Sequence, residues 1–217
     1  MKKIISLEEA MELIHDGMKV MIPGFMGVGT PEKLVDGLVA KEVQDLHVIC
    51  TDTARPHVGI GKLIVNGQVK KLYASHIGTN PETGRMMNEG LIDVTLIPQG
   101  TLAERIRAGG AGLGGFLTPT GVGTVVEEGK QKLVVDGKDY LLELPLTADV
   151  ALIRGSKVDK KGNIWYNAAT RNFNTVMATA AKVVIVEAQE LVEVGEIDPN
   201  NVMTPGIFVD YIVKGEE

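Results

Sequence analysis

Short apolar runs alternate along this chain with polar, helix-like stretches, and the alternation sets the expected elements. Ser6 with Glu9 forms a capping box for a helix reaching about His15, and Lys19 to Ile22 reads as a buried strand. Thr30 is expected to cap a helix with Pro31 at its first position, running to about Ala40. Strands are expected at Leu46 to Cys50, Val69 to Ala74 and Val94 to Ile97, separated by segments that can carry helices. Such βα repetition gives a mostly parallel sheet with helices on its faces and ligands at the carboxyl ends of the strands. Lys132 to Val135 and Lys138 to Leu142 flank Asp136-Gly137, the residue pair of a type I′ hairpin, so the second half is expected to carry antiparallel additions. The expected fold is α/β, a mostly parallel sheet with flanking helices plus an antiparallel hairpin region. With no internal repeat, low-complexity tract or linker, residues 1–217 read as a single domain.

Two glycine-bearing segments interrupt the apolar pattern. From Pro98 to Thr124, PQGTLAERIRAGGAGLGGFLTPTGVGT, a charged amphipathic stretch leads into seven glycines between Gly109 and Gly123. Glycine loses roughly 0.5–1 kcal/mol relative to alanine inside a regular element, so this run reads as a backbone-lined site, with Leu113, Phe116 and Leu117 as a nonpolar ceiling, rather than as a packed element. The other segment, Gly24, Phe25, Met26, Gly27, Val28 and Gly29, turns from strand to helix. The N–H groups of the helix expected from Thr30 would give it partial positive charge and an affinity for anions.

Gly110 to Gly115 also satisfies the dinucleotide GxGxxG spacing, with Asp136 beyond it, but Leu102 to Ala108 has charged helical spacing where a buried strand is required. No Walker lysine, HExxH or paired-cysteine metal spacing is present. His15, His47, His57 and His76 are scattered singly and read as surface or satisfied core residues, His76 least clearly.

The Pro98–Thr124 wording resembles the alpha-subunit signature of the class I CoA-transferases, two-subunit enzymes that move coenzyme A between short carboxylic acids. Asp16 to Pro31, DGMKVMIPGFMGVGTP, is similar to the family's N-terminal signature, with Pro23 where the family usually has a glycine; any ligand contact made by that amide in relatives is lost here. Ser75 to Gly84 and Glu143 to Ser156 agree as well, so the resemblance spans nearly the whole chain. It implies a CoA-transferase-like fold and an oxyanion-stabilising role for Gln99 of the PQGT turn. It further implies acyl-CoA contacts at Gly24–Gly29, coenzyme A as substrate rather than a bound cofactor, and a beta-subunit partner, most simply in an α2β2 assembly.

In the family a glutamate in a Glu-Asn-Gly-like turn of the beta subunit attacks the thioester. Asn88-Glu89-Gly90 has those residues in the wrong order and Glu127-Glu128-Gly129 precedes a hairpin, so this chain is expected to be catalytically incomplete alone. The branch using acetate, butyrate and acetoacetate fits the glycine-run wording better than the succinyl-dependent 3-oxoacid enzymes. A phosphometabolite-sensing domain of related fold is the alternative from another functional class.

Composition changes this picture little. A chain of 217 residues buries roughly 70% of its extended surface. A formal charge of −6 with no basic cluster argues against nucleic acid, and no apolar run reaches the roughly 20 residues of a bilayer span. Lys2 and Lys3 are followed by Glu8, Glu9 and Glu12, which spoil an export signal, and Cys50 sits in an apolar run as an expected buried free thiol; both point to the cytoplasm.

Overall fold

Residues 1–215 are described by a computed structural model. Eight parallel strands form the main sheet in the order β1-β12-β11-β9-β2-β3-β4-β5. They are β1 (Lys3–Ile5), β2 (Lys19–Met21), β3 (Leu46–Ile49), β4 (Val69–Ala74), β5 (Asp93–Leu96), β9 (Ala148–Asp159), β11 (Ala181–Val192) and β12 (Tyr211–Lys214). A short strand, β10 (Ile164–Trp165), pairs antiparallel with β9. A separate antiparallel sheet joins β6 (Phe116–Thr118), β8 (Lys138–Glu143) and β7 (Lys132–Val135).

The central parallel strands are buried on both faces, because successive side chains feed different cores. Val20, Val48, Val150 and Leu152 pack on one side under α1 (Leu7–Met11), α2 (Glu32–Lys41), α3 (Gly61–Val65) and α4 (Pro81–Asn88). Met21, Ile49, Ala151 and Ile153 pack on the other under α5 (Gln99–Gly110) and α6 (Asn174–Met177).

The capping box at Ser6 is present, with the Glu9 amide donating to Ser6 Oγ at 3.1 Å and Ser6 N to Glu9 Oε2 at 2.9 Å. The Asp136-Gly137 turn has φ of 49° and 73°, as type I′ requires. Three expectations are corrected. Thr30 does not cap α2: the N-cap is Pro31, which has no side-chain donor or acceptor, and Thr30 is buried against Gly24. The strand before Gln99, whose place at the end of an apolar run leads one to expect burial, is the exposed edge of the sheet, with Leu96 facing out. The second half contributes more than antiparallel additions, since β9, β11 and β12 complete the parallel sheet.

Candidate active site

Strand order reverses beside β2. From there β3, β4 and β5 continue outward on one side, and β9, β11, β12 and β1 lie on the other. Ligands of open parallel sheets bind outside the carboxyl ends at such a switch point. The Gly24–Gly29 loop leaves the carboxyl end of β2 there. Phe25 and Val28 exchange hydrogen bonds of 3.0 and 2.9 Å across a two-residue turn, with φ of 54° at Met26 and 89° at Gly27. This miniature hairpin holds Phe25 and Val28 out, 55% and 48% exposed. A Cβ on Gly27 would lie 2.3 Å from Val58 Cγ1, so the turn needs glycine for space as well as for its left-handed φ. Among the described residues the Gly27 amide has no acceptor.

Three side chains fasten this loop. Asp52, two residues beyond Cys50 at the end of β3, accepts from Met26 N at 3.0 Å and Ala54 N at 3.1 Å. Asn172 donates to the Val28 carbonyl at 2.9 Å, and the fully buried Asn174 donates to the Gly29 carbonyl at 2.9 Å.

Part of the expected anion site at the start of the following helix is occupied by the protein itself. Glu187 of β11, only 6% exposed, accepts from Leu34 N at 3.1 Å in the first turn of α2. Its carboxyl is pushed up from the ordinary glutamate range by burial, which outweighs the backbone donors and Arg154. That first-turn amide of α2 is therefore already taken within the protein.

Gln99 stands at the carboxyl end of β5 as the first residue of α5, with Gln99 and Gly100 exposed. The N-cap Pro98 provides no side-chain cap, so the first-turn amides of α5 face outward with the partial positive charge of the helix. Gln99 and the Gly24–Gly29 loop are not in one cluster. They lie three strands apart, about 14 Å at the usual strand spacing. Asp52 and His76, paired as an isolated parallel bridge, occupy the ends of the intervening strands, and His76 is exposed.

The glycine run after α5 begins as a packed element, contrary to expectation. Gly109 and Gly110 close the helix against neighbours, where a Cβ would come within 2.2 Å of the Leu146 carbonyl and 2.1 Å of Thr179 Oγ1. Leu113 N donates to Ala108 O at 2.9 Å and Gly112 N to Gly109 O at 3.3 Å, a Schellman end with Gly112 at φ 68°. Leu113 and Leu117 are exposed rather than roofing a cavity, and Phe116 and Leu117 belong to β6. The GxGxxG spacing thus starts inside the last turn of a helix, where no dinucleotide turn can form.

Asp52, Asn172 and Asn174 carry no motif that reading the sequence detected. Asp52 alone had a signal, its place just after an apolar strand; the two asparagines meet residues 144 and 145 positions away.

Cys50 is buried with a thiol pushed well above its ordinary range by desolvation, so it is no nucleophile. No helix among the described residues is long and apolar enough to cross a membrane.

The fold and the sequence both match known proteins. A solved acyl-CoA transferase from Escherichia coli O157:H7, in a thioester complex with CoA, superposes with a TM-score of 0.87 at 23% identity; the match covers 99% of this chain and 47% of that one, about half its length. The acetate CoA-transferase subunit alpha of Escherichia coli K12 is 57% identical over 99% of this chain and 98% of its own. The acetoacetyl-CoA:acetate/butyrate CoA transferase alpha subunit of Clostridium acetobutylicum is 56% identical over 98% and 97%. Relatives named as succinyl-CoA:3-ketoacid transferase subunits are more distant, at 45% and 41%. The model of the family described as coenzyme A transferase matches residues 4–215, which include the Gly24–Gly29 loop, Gln99 and all of the parallel sheet except Lys3; the chain belongs to the coenzyme A transferase family.

Proposed function

We propose that this chain is the alpha subunit of a short-chain acyl-CoA:carboxylate CoA-transferase exchanging coenzyme A among acetate, butyrate and acetoacetate. It acts as a single domain, in an α2β2 complex with a beta subunit, in the cytoplasm, with coenzyme A as substrate and no permanently bound cofactor. One observation carries the reading: Gln99 stands exposed at an uncapped helix terminus in the same row of strand ends as the Gly24–Gly29 loop. Glu89, in the Asn-Glu-Gly turn after α4, is paired with Arg85, and Glu127 with Lys132 and the Gly123 amide.

The nucleophilic glutamate belongs to the beta subunit. Its carboxylate oxygen attacks the acyl-CoA carbonyl carbon, the C–S bond breaks, and an enzyme-bound anhydride and CoA thiolate result. The thiolate then attacks the glutamyl carbonyl, releasing the carboxylate and leaving a glutamyl-CoA thioester, and the incoming acid reverses both steps. Negative charge gathers on the carbonyl oxygen at each addition. The Gln99 amide, with the α5 amides behind it, donates to that oxygen, and the Phe25–Val28 turn receives another part of the extended thioester.

In the αβ complex, Gln99→Ala is expected to lower kcat by on the order of 100-fold or more with KM for acyl-CoA little changed. Undiminished turnover would overturn the role of Gln99.

A further inference from the structure

The Gly24–Gly29 loop is an unusual object to find fixed. Met26 adopts φ 54°, a left-handed conformation that a long side chain rarely accepts, and the loop's tip, Phe25 and Val28, faces solvent. Such a conformation persists only where its surroundings over-determine it. Those surroundings are few and specific. Behind the turn, the carboxylate of Asp52, 1% exposed, divides its oxygens between Met26 N and Ala54 N. Beyond it, Asn174 joins three elements through one amide. Its Nδ2 donates to the Gly29 carbonyl at 2.9 Å and the Thr170 carbonyl at 2.8 Å, and its Oδ1 accepts from Arg154 N on β9 at 2.8 Å. Asn172 adds a bond from Nδ2 to the Val28 carbonyl at 2.9 Å and one to the Ala169 carbonyl at 3.0 Å. Gly29 makes the joint tight, since a Cβ there would lie 2.6 Å from the Thr170 carbonyl.

Asn174 is fully buried at the start of α6 and cannot meet a substrate. Its bonds link the two strands that flank the switch point, β9 directly through Arg154 N and β2 through the loop that leaves it. A carbonyl held by Nδ2 fixes the peptide plane it belongs to, and the planes at Val28 and Gly29 set the direction in which the preceding turn presents Phe25, Val28 and the Gly27 amide.

We propose that Asn174, with Asp52 on the opposite side, is a positioning residue for the transfer reaction: the two hold the Phe25–Val28 turn in the orientation that the acyl-CoA meets. This rests on the reading of that loop as an acyl-CoA contact. Misplacement by about 1 Å of a group that orients a reacting thioester lowers turnover by on the order of 100-fold. Binding changes much less, because most of the ligand's contacts remain.

The test uses the co-expressed complex of this chain with its beta subunit, and compares Asn174→Ala, Asn174→Asp, Asn172→Ala and Phe25→Ala with the parent. Asn174→Asp keeps the acceptor for Arg154 N and loses the donor to Gly29, and Asn172→Ala, at a half-buried site, removes one loop bond with least risk to folding. Steady-state constants are read beside hydrogen–deuterium exchange of residues 23–31.

The expected result is a kcat lowered about 100-fold for Asn174→Asp and about tenfold for Asn172→Ala, with KM for acyl-CoA within about threefold. Faster exchange should be confined to the loop while β2 and α2 keep their protection. Exchange unchanged in the loop, or a kcat unchanged in Asn172→Ala and in a folded Asn174 variant, overturns the proposal. Phe25→Ala separates the premise from the inference. If that variant leaves both constants unchanged the loop is no contact for acyl-CoA, whereas a loss in Phe25→Ala with intact Asn174 and Asn172 variants refutes the positioning role alone.

Discussion

Glycines 109 and 110 have a steric reason that composition does not reveal. Both lie in the last turn of α5, and a methyl on either would press into Leu146 or Thr179. Gly110→Ala is therefore expected to destabilise the protein by about 1–3 kcal/mol, the range for overpacking. Gly114→Ala, where a Cβ meets nothing within 4 Å, should change stability by less than about 0.5 kcal/mol. Denaturant unfolding of the two variants checks the contrast, and equal effects would contradict it. The same contrast explains what was legible residue by residue. Gln99 could be singled out from the sequence because the family resemblance that points to it rests on one contiguous stretch, PQGT. Asn174 could not, because the groups that give it meaning, Gly29 and Arg154, come from other parts of the chain and no local periodicity encodes them.

At the scale of elements, α2 shows how a distant residue takes over a local task. Its start reads as Thr-Pro, a good cap on paper, yet the first turn is satisfied by Glu187, 153 positions away. Burial raises the Glu187 carboxyl above its ordinary value of 4.5, so above that pH the folded protein holds the proton more tightly than the unfolded chain does. The contribution of this group to stability is thus fullest below about pH 4.5 and is lost as pH rises through the raised folded value. Glu187→Gln keeps an acceptor for Leu34 N and removes that titration. The stability of the parent minus that of the variant should fall as pH rises above about 4.5, and a flat difference curve from urea unfolding at each pH would contradict it.

The small sheet is fastened in a comparable way. Glu143 at the end of β8 is buried, paired with Lys130 and 3.8 Å from Arg105 of α5, whose Nε also donates to Leu144 O at 2.7 Å. Removing the carboxylate in Glu143→Ala leaves two partly buried cations without it and is expected to cost about 3 kcal/mol, read as a lowered denaturant midpoint. The hairpin β7–β8 itself was legible, since Asp-Gly between apolar runs specifies its turn locally.

For the whole molecule, βα repetition was enough to give a parallel sheet with ligands at its carboxyl ends, and the first five β-strands follow that pattern apart from the N-terminal edge strand β1. The two 12-residue strands β9 and β11 were not read as strands. Covered on both faces, they lack clean alternation, and β9 carries Arg154, Gly155 and Ser156 in its middle. Their insertion beside β2 creates the switch point on which the candidate site stands, so the site's location became visible only with the strand order.

The arrangement has one central consequence. On the proposed function, this chain holds and orients a thioester while the attacking carboxylate comes from another polypeptide. The most direct measurement is CoA transfer from acetoacetyl-CoA or butyryl-CoA to acetate by this chain purified alone, by its beta subunit alone, and by the co-purified pair. Transfer should be seen only with the pair, and hydroxylamine should trap the glutamyl thioester on the beta subunit. Sustained transfer by a preparation of this chain free of the beta subunit would contradict the account.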